Sequence, residues 1–117
     1  MNKVIYHNTP YYGRSTTIII ADGYGYVMVS QMNGNEAVAA IHNLHVHESR
    51  RREGLGNILL EEACEEAQNM GAVLIRLSTA SGTWMEDWYQ RHGFRAVGKD
   101  AEVKNCTVLE KYCNSEQ

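Results

Sequence analysis

The hydrophobic period of this chain first changes near residue 54, and that change dictates what it can fold into. Before it, Ser15 to Ala21, Tyr24 to Gln31 and Ala37 to Val46 are rich in β-branched and aromatic residues. The turn signals Asp22-Gly23 and Asn33-Gly34-Asn35 separate them, so the segment reads as an antiparallel meander. After it, Leu55, Ile58, Leu59, Ala63, Ala67 and Met70 recur at three and four residues, with Glu61, Glu62, Glu65, Glu66 and Asn69 between them. That is the pattern of an amphipathic helix. Gly71 follows as a left-handed cap, and Ala72 to Leu77 is a nearly continuous apolar run, expected to be a strand buried on both faces. Ala37 to Leu77 is therefore a strand-helix-strand crossover whose two strands run parallel.

Beyond it, Thr83-Trp84-Met85-Glu86 has capping-box spacing and predicts a short helix that stops at Gly93. Phe94 to Val97 and Asn105 to Tyr112 read as two further strands joined by the polar loop Gly98 to Lys104. Met1 to Arg14 has room for one strand, and Asn114 to Gln117 reads as a frayed tail. The expected fold class is α/β (α+β): a mixed, mostly antiparallel sheet with a central parallel pair and two main helices. A length of 117 residues fits one domain over residues 1–117.

Composition narrows the function. Eleven basic against fourteen acidic side chains, a net charge of −3, argue against a chain held on nucleic acid or an anionic membrane by a global basic field. Arg50-Arg51-Arg52 is the one basic cluster. Cys64, Cys106 and Cys113 are odd in number and lack CxxC spacing, which disfavours a disulfide framework and a thiolate zinc site and leads us to expect a cytoplasmic protein. No stretch at the start reads as a signal peptide, and the longest aliphatic run, Ile18 to Ala21, is too short to cross a bilayer.

The chemistry concentrates where the period changes. A glycine-rich turn between a strand and a helix aims unpaired backbone N–H groups at one spot, with the positive end of the helix dipole behind them. Here the turn reads Val46-His47-Glu48-Ser49-Arg50-Arg51-Arg52-Glu53-Gly54-Leu55-Gly56-Asn57, arginines on the entry side and glycines where a side chain would block an anion. There is no GxxxxGK[ST] run, and Gly54-Leu55-Gly56 lacks the third glycine of the dinucleotide fingerprint. A metal site at His42, His45 and His47 is the weaker reading, because in a regular strand His42 faces away from the other two and no nearby cysteine or carboxylate pattern completes a set.

Arg51, Gly54 and Gly56 match the Arg/Gln-x-x-Gly-x-Gly/Ala turn of the GNAT superfamily of acyl-CoA-dependent N-acetyltransferases. Trp88-Tyr89-Gln90-Arg91-His92-Gly93-Phe94 resembles the same family's aromatic-Tyr-x-x-x-Gly-Phe stretch. The likeness spans roughly Ser15 to Tyr112. It implies that the parallel strands splay around a cleft for coenzyme A, with the pantetheine arm pairing with main-chain groups of Leu44 and Val46. The pyrophosphate would rest on the amides of Arg52, Glu53, Gly54, Leu55, Gly56 and Asn57, with Arg51 or its neighbours adding charge. It further implies transfer of an acetyl group from acetyl-CoA, as co-substrate and without a metal, to an amine on a small molecule, peptide or protein. Tyr89 takes the general-acid position in that likeness.

The glutamate that many relatives carry on the preceding strand is absent from Ala39 to Leu44, and His42 stands where the arylalkylamine acetyltransferases carry one of two histidines. It is the candidate base, a packed strand histidine being the alternative. The two helices that usually precede the sheet have no room before Ser15, so the acceptor side is expected to be open or completed by a second subunit in a homodimer. A non-catalytic acyl-CoA-binding or regulatory module of the same fold is the alternative function.

Overall fold

The computed structural model describes residues 3–11, 14–21, 25–32, 35–51 and 54–113. Strands β1 (Lys3–Tyr11), β2 (Arg14–Ala21), β3 (Gly25–Met32) and β4 (Asn35–Val46) form the expected meander, each antiparallel to the next. A single 3-10 turn (Glu48–Arg50) leads into helix α1 (Leu55–Asn69), which carries the chain to β5 (Leu74–Ala80). Helix α2 (Trp84–Arg91), β6 (Arg95–Lys99) and β7 (Cys106–Tyr112) complete the order. The result is one seven-stranded sheet, β1-β2-β3-β4-β5-β7-β6, in which β4 and β5 are the parallel pair. The turns at Asp22-Gly23 and Asn33-Gly34 and the tail Asn114 to Gln117 lie outside the described residues.

The buried stripe of α1 is Leu55, Leu59, Leu60, Ala63 and Ala67. It packs on Val27, Val29, Ala39, Ile41, Ile75, Leu77 and Leu109, in one core that Tyr89 and Phe94 also join. Each large aliphatic side chain buried there contributes about 1.5–3 kcal/mol relative to exposure. Both helices thus lie on one face of the sheet, as two right-handed crossovers stepping in the same direction require. The helix ends as its glycine predicts: Gly71 has φ 94°, its N–H donates to the Gln68 carbonyl at 2.9 Å, and the Ala72 N–H reaches back to Ala67 at 3.1 Å. This is a Schellman cap.

One expectation is corrected. Strand β5 is not buried on both faces: Ile75, Leu77 and Thr79 are buried under the helices, whereas Ser78 and Ala80 on the other face are exposed. Arg76 faces the same way and is half-buried, its charge paired with Glu110, its register partner on β7, through Nε and Nη2 at 2.7 Å. The apolar run hides this because a single arginine, once paired, is tolerated on a helix-free face. Cys64, Cys106 and Cys113 are free thiols. No helix among the described residues is long and apolar enough to cross a membrane.

Candidate functional site

The parallel ladder is short. Pairing between β4 and β5 holds at Val38↔Leu74, Ala39↔Ile75 and Ala40↔Arg76 and then stops, although β4 runs on to Val46 and β5 to Ala80. The cause lies in β4. Met28 pairs with His42 but Tyr26 pairs with His45, so β4 carries one residue more than β3 across this stretch, and Asn43 within it has φ 54°. Such a bulge bends and twists its strand. The edges of residues 41–46 and 77–80 that would have met are left unpaired with one another, and the sheet forks.

The bulge also overturns the expected facing of the histidines. With an extra residue between them, His42 and His45 stand on the same face as Met28 and Tyr26, away from α1. The His45 ring lies 5.5 Å from that of Tyr26, and His42 Nε2 is 2.8 Å from the hydroxyl of Ser30, which is fully buried. His47 lies past the strand, its Nδ1 accepting from the Ser49 amide at 3.2 Å and meeting the Ser49 hydroxyl at 2.8 Å. Among the described residues no three His, Cys, Asp or Glu side chains are grouped to hold a metal.

The mouth of the fork is the start of α1. Gly54 caps the helix in the left-handed region, φ 80°, where an added Cβ would meet nothing, so the backbone angle alone asks for glycine. Among the described residues no side chain caps this end, and none in the first turn is acidic. Ile58 is the first residue whose amide turns back, donating to the Gly54 carbonyl at 3.2 Å. The amides of Leu55, Gly56 and Asn57 thus have no partner among the described residues, which leaves a concentrated positive potential. A Cβ on Gly56 would stand 3.6 Å from Trp88 Cζ2 and 3.9 Å from Val46 Cγ2, so indole and valine flank the turn. Arg51 donates through Nε to the Val46 carbonyl at 3.1 Å, tying the basic cluster to the end of β4. The side chains of Leu44 and Val46 pack on the core. Arg52 and Glu53 lie outside the described residues.

Tyr89 is held from the opposite side of the core. The expected capping box at the start of α2 does not form: the Thr83 hydroxyl donates to the Ala80 carbonyl at 2.8 Å, and Glu86 accepts from the Gly82 amide at 2.7 Å. The far end is a second Schellman cap, with Gly93 at φ 92°, its amide on Gln90 at 3.1 Å and the Phe94 amide on the Tyr89 carbonyl at 3.1 Å. The Tyr-x-x-x-Gly-Phe spacing is the sequence of that cap, completed by the edge-on packing of Phe94 against Tyr89 at 5.7 Å. Tyr89 is 4% exposed, and its hydroxyl has no hydrogen-bond partner among the described residues. Burial pushes its pKa up to about 12.

Sequence reasoning missed one contact that joins these parts. The His92 ring bonds the Trp88 carbonyl through Nδ1 at 2.8 Å and reaches the Asn57 side chain through Nε2 at 2.9 Å. Thirty-five positions separate the partners of the second bond, and no periodicity signals such a contact.

The family model described as acetyltransferase (GNAT) domain matches residues 13–96, more than half of the chain. No curated protein matches. Among solved structures, the chain is similar to the IAA acetyltransferase from Bacillus cereus, with 18% identity over 95% of this chain and 99% of that one, at a TM-score of 0.70. It is similar to the PaiA N-acetyltransferase from Thermoplasma acidophilum in complex with coenzyme A, with 19% identity, 83% and 59% coverage and a TM-score of 0.68. It also resembles the N-acetylglutamate synthase from Neisseria gonorrhoeae complexed with coenzyme A and N-acetyl-glutamate, with 18% identity, 85% and 26% coverage and a TM-score of 0.69.

Proposed function

Since this chain belongs to the GNAT acetyltransferase family, we propose that it moves an acetyl group from acetyl-CoA to an amine by direct attack on the thioester. The observation that carries this reading is the Tyr89 hydroxyl. A buried hydroxyl without a partner costs about 1–3 kcal/mol. Among the described residues the Tyr89 hydroxyl has no partner, and Tyr89 belongs to the same cluster as Leu55, at the start of α1, and Leu77, the first residue of β5 past the last β4 pair. A ligand atom entering the fork would supply the missing partner, and a thioester sulfur that leaves as an anion is such an atom.

The remaining roles belong to the same proposal. The diphosphate of the coenzyme binds the amides of Arg52 through Asn57, among which those of Leu55, Gly56 and Asn57 have no partner among the described residues, with Arg51 or its neighbours adding charge. An extended pantetheine arm pairs with the main chain of Leu44 and Val46 along the open edge of β4. The amine nitrogen attacks the thioester carbonyl, the tetrahedral adduct collapses, the C–S bond breaks, and Tyr89 donates a hydrogen bond to the departing sulfur. His42, turned to the face away from Tyr89, receives the proton that the amine sheds. In this reading acid and base approach the tetrahedral adduct from opposite faces of the sheet. The net charge of −3 favours a cationic acceptor over an acidic one.

Calorimetric titration with acetyl-CoA and a panel of primary amines scored by thiol release test the proposal. Tyr89→Phe lowers kcat at least about tenfold with little change in coenzyme affinity. Failure to bind acetyl-CoA overturns the reading, and binding without turnover of any amine assigns the chain to acyl-CoA binding alone.

A further inference from the structure

We infer that the bond between Asn57 and His92 is a clasp coupling the anion-binding end of α1 to the turn of α2 that carries Tyr89, with His92 as a positioning residue. The inference rests on the acyl-transfer reading above. The Trp88 carbonyl only accepts, so Nδ1 of His92 bears hydrogen and donates to it. Nε2 of that tautomer accepts, so the Asn57 carboxamide, whose oxygen and nitrogen ends interchange by a half-turn, meets it with its NH2 at the position 2.9 Å away. With both nitrogens engaged, the ring cannot turn without breaking two bonds. It lies 4.4 Å from the Trp88 indole, which stands edge-on to Tyr89 at 5.1 Å and beside Gly56. Carboxamide, imidazole, indole and phenol form one contiguous path from the start of α1 to the proposed acid.

The backbone closes the same path. The His92 amide donates to the Tyr89 carbonyl at 3.0 Å, and the His92 carbonyl accepts from Lys111 Nζ at 2.9 Å. The backbone amide of Asn57 is itself one of the three donors at the start of α1 that have no partner among the described residues. One residue therefore offers its main chain to an anion and its side chain to the clasp, so an anion that immobilises the former immobilises the latter. Asn57 is exposed and His92 half-buried, so core packing does not account for the contact.

Hydrogen exchange of the intact chain, with and without coenzyme A, tests the coupling. In the wild type, coenzyme A slows exchange across residues 88–94 by about threefold or more, through the Gly93 and Phe94 amides of the cap. In Asn57→Ala, at coenzyme A concentrations that saturate the variant by calorimetry, that protection disappears from α2 while protection of residues 54–58 remains. His92→Phe, which keeps a ring on Trp88 but removes both bonds, has the same effect, and the double variant is no worse than either single one. Should His92→Phe fail to fold by circular dichroism, the exposed Asn57→Ala carries the test. Protection of α2 that persists in Asn57→Ala, or that is absent from the wild type although coenzyme A binds, overturns the clasp alone. Absence of coenzyme A binding instead overturns the acyl-transfer reading, and the clasp with it.

Discussion

Burial raises the pKa of Tyr89 to about 12, and this separates two roles a phenol can play beside a leaving thiolate. A reference thiol near 8.5 is the stronger acid by roughly 3–4 units, so complete proton transfer from Tyr89 is uphill by about 5 kcal/mol unless the same dry surroundings also raise the thiol. In the proposed transfer Tyr89 therefore serves chiefly as a hydrogen-bond donor to developing charge. The alkaline limb of the rate profile is expected to be unaffected by Tyr89 below pH 10. Stability has its own signature: the folded phenol stays protonated up to about 12 while the unfolded one ionises at 10.0. The stability is therefore fully present below pH 10 and falls by about 2–3 kcal/mol as pH rises through 12. Urea unfolding at pH 9 and at pH 11.5 measures this loss, and Tyr89→Phe removes it. Asn43 makes a second residue-scale prediction. Its φ of 54° suits asparagine and glycine, so Asn43→Val costs about 1–2 kcal/mol in thermal melts while Asn43→Gly is close to neutral. The place of Tyr89 at the α2 cap was legible in the sequence because that cap has a fixed spacing. Asn43 was not, because a one-residue bulge leaves the alternation on either side of it intact.

Among the elements, the α2 cap does the most for the site. Gly93 has φ 92°, and a Cβ there would press on Lys111 Cε at 3.2 Å. Gly93→Ala is therefore expected to destabilise the fold by about 1–2 kcal/mol. It also lowers kcat by loosening the carbonyl of Tyr89, measurable as a lower midpoint in denaturant together with a kcat loss at unchanged coenzyme Kd. The crossover from β4 through α1 to β5 was readable because hydrophobic period reports which side of an element meets the core, and Leu59, Ala63 and Ala67 meet it fully. The capping box was misread because Thr83 and Glu86 have the right spacing but find nearer partners at Ala80 and Gly82. Arg76 was passed over within an apolar run because its partner, Glu110, lies 34 positions away.

For the molecule as a whole, the two parts of the sheet, β1 to β4 and β5 to β6, are joined strand to strand by three residue pairs. An extended ligand that bonds along the fork would staple them. At one hundred times its Kd, coenzyme A is expected to add about 2.7 kcal/mol. For a chain of this length that is a rise in Tm of roughly 10 °C, visible in a thermal shift experiment. An unchanged Tm at saturating coenzyme would show that it does not bind the folded chain. The fork was beyond sequence reasoning except through family likeness, since neither β4 nor β5 changes composition at Ala40 or Arg76.

An ordinary open sheet has two rims, both at its flanks, and each invites pairing with a stranger. Here the gap between the fourth and fifth strands creates two more, turned inward toward each other. A slot bounded on both sides by such rims admits one slender filament and excludes a second slab of protein, so this chain keeps unused backbone groups on offer without becoming adhesive there.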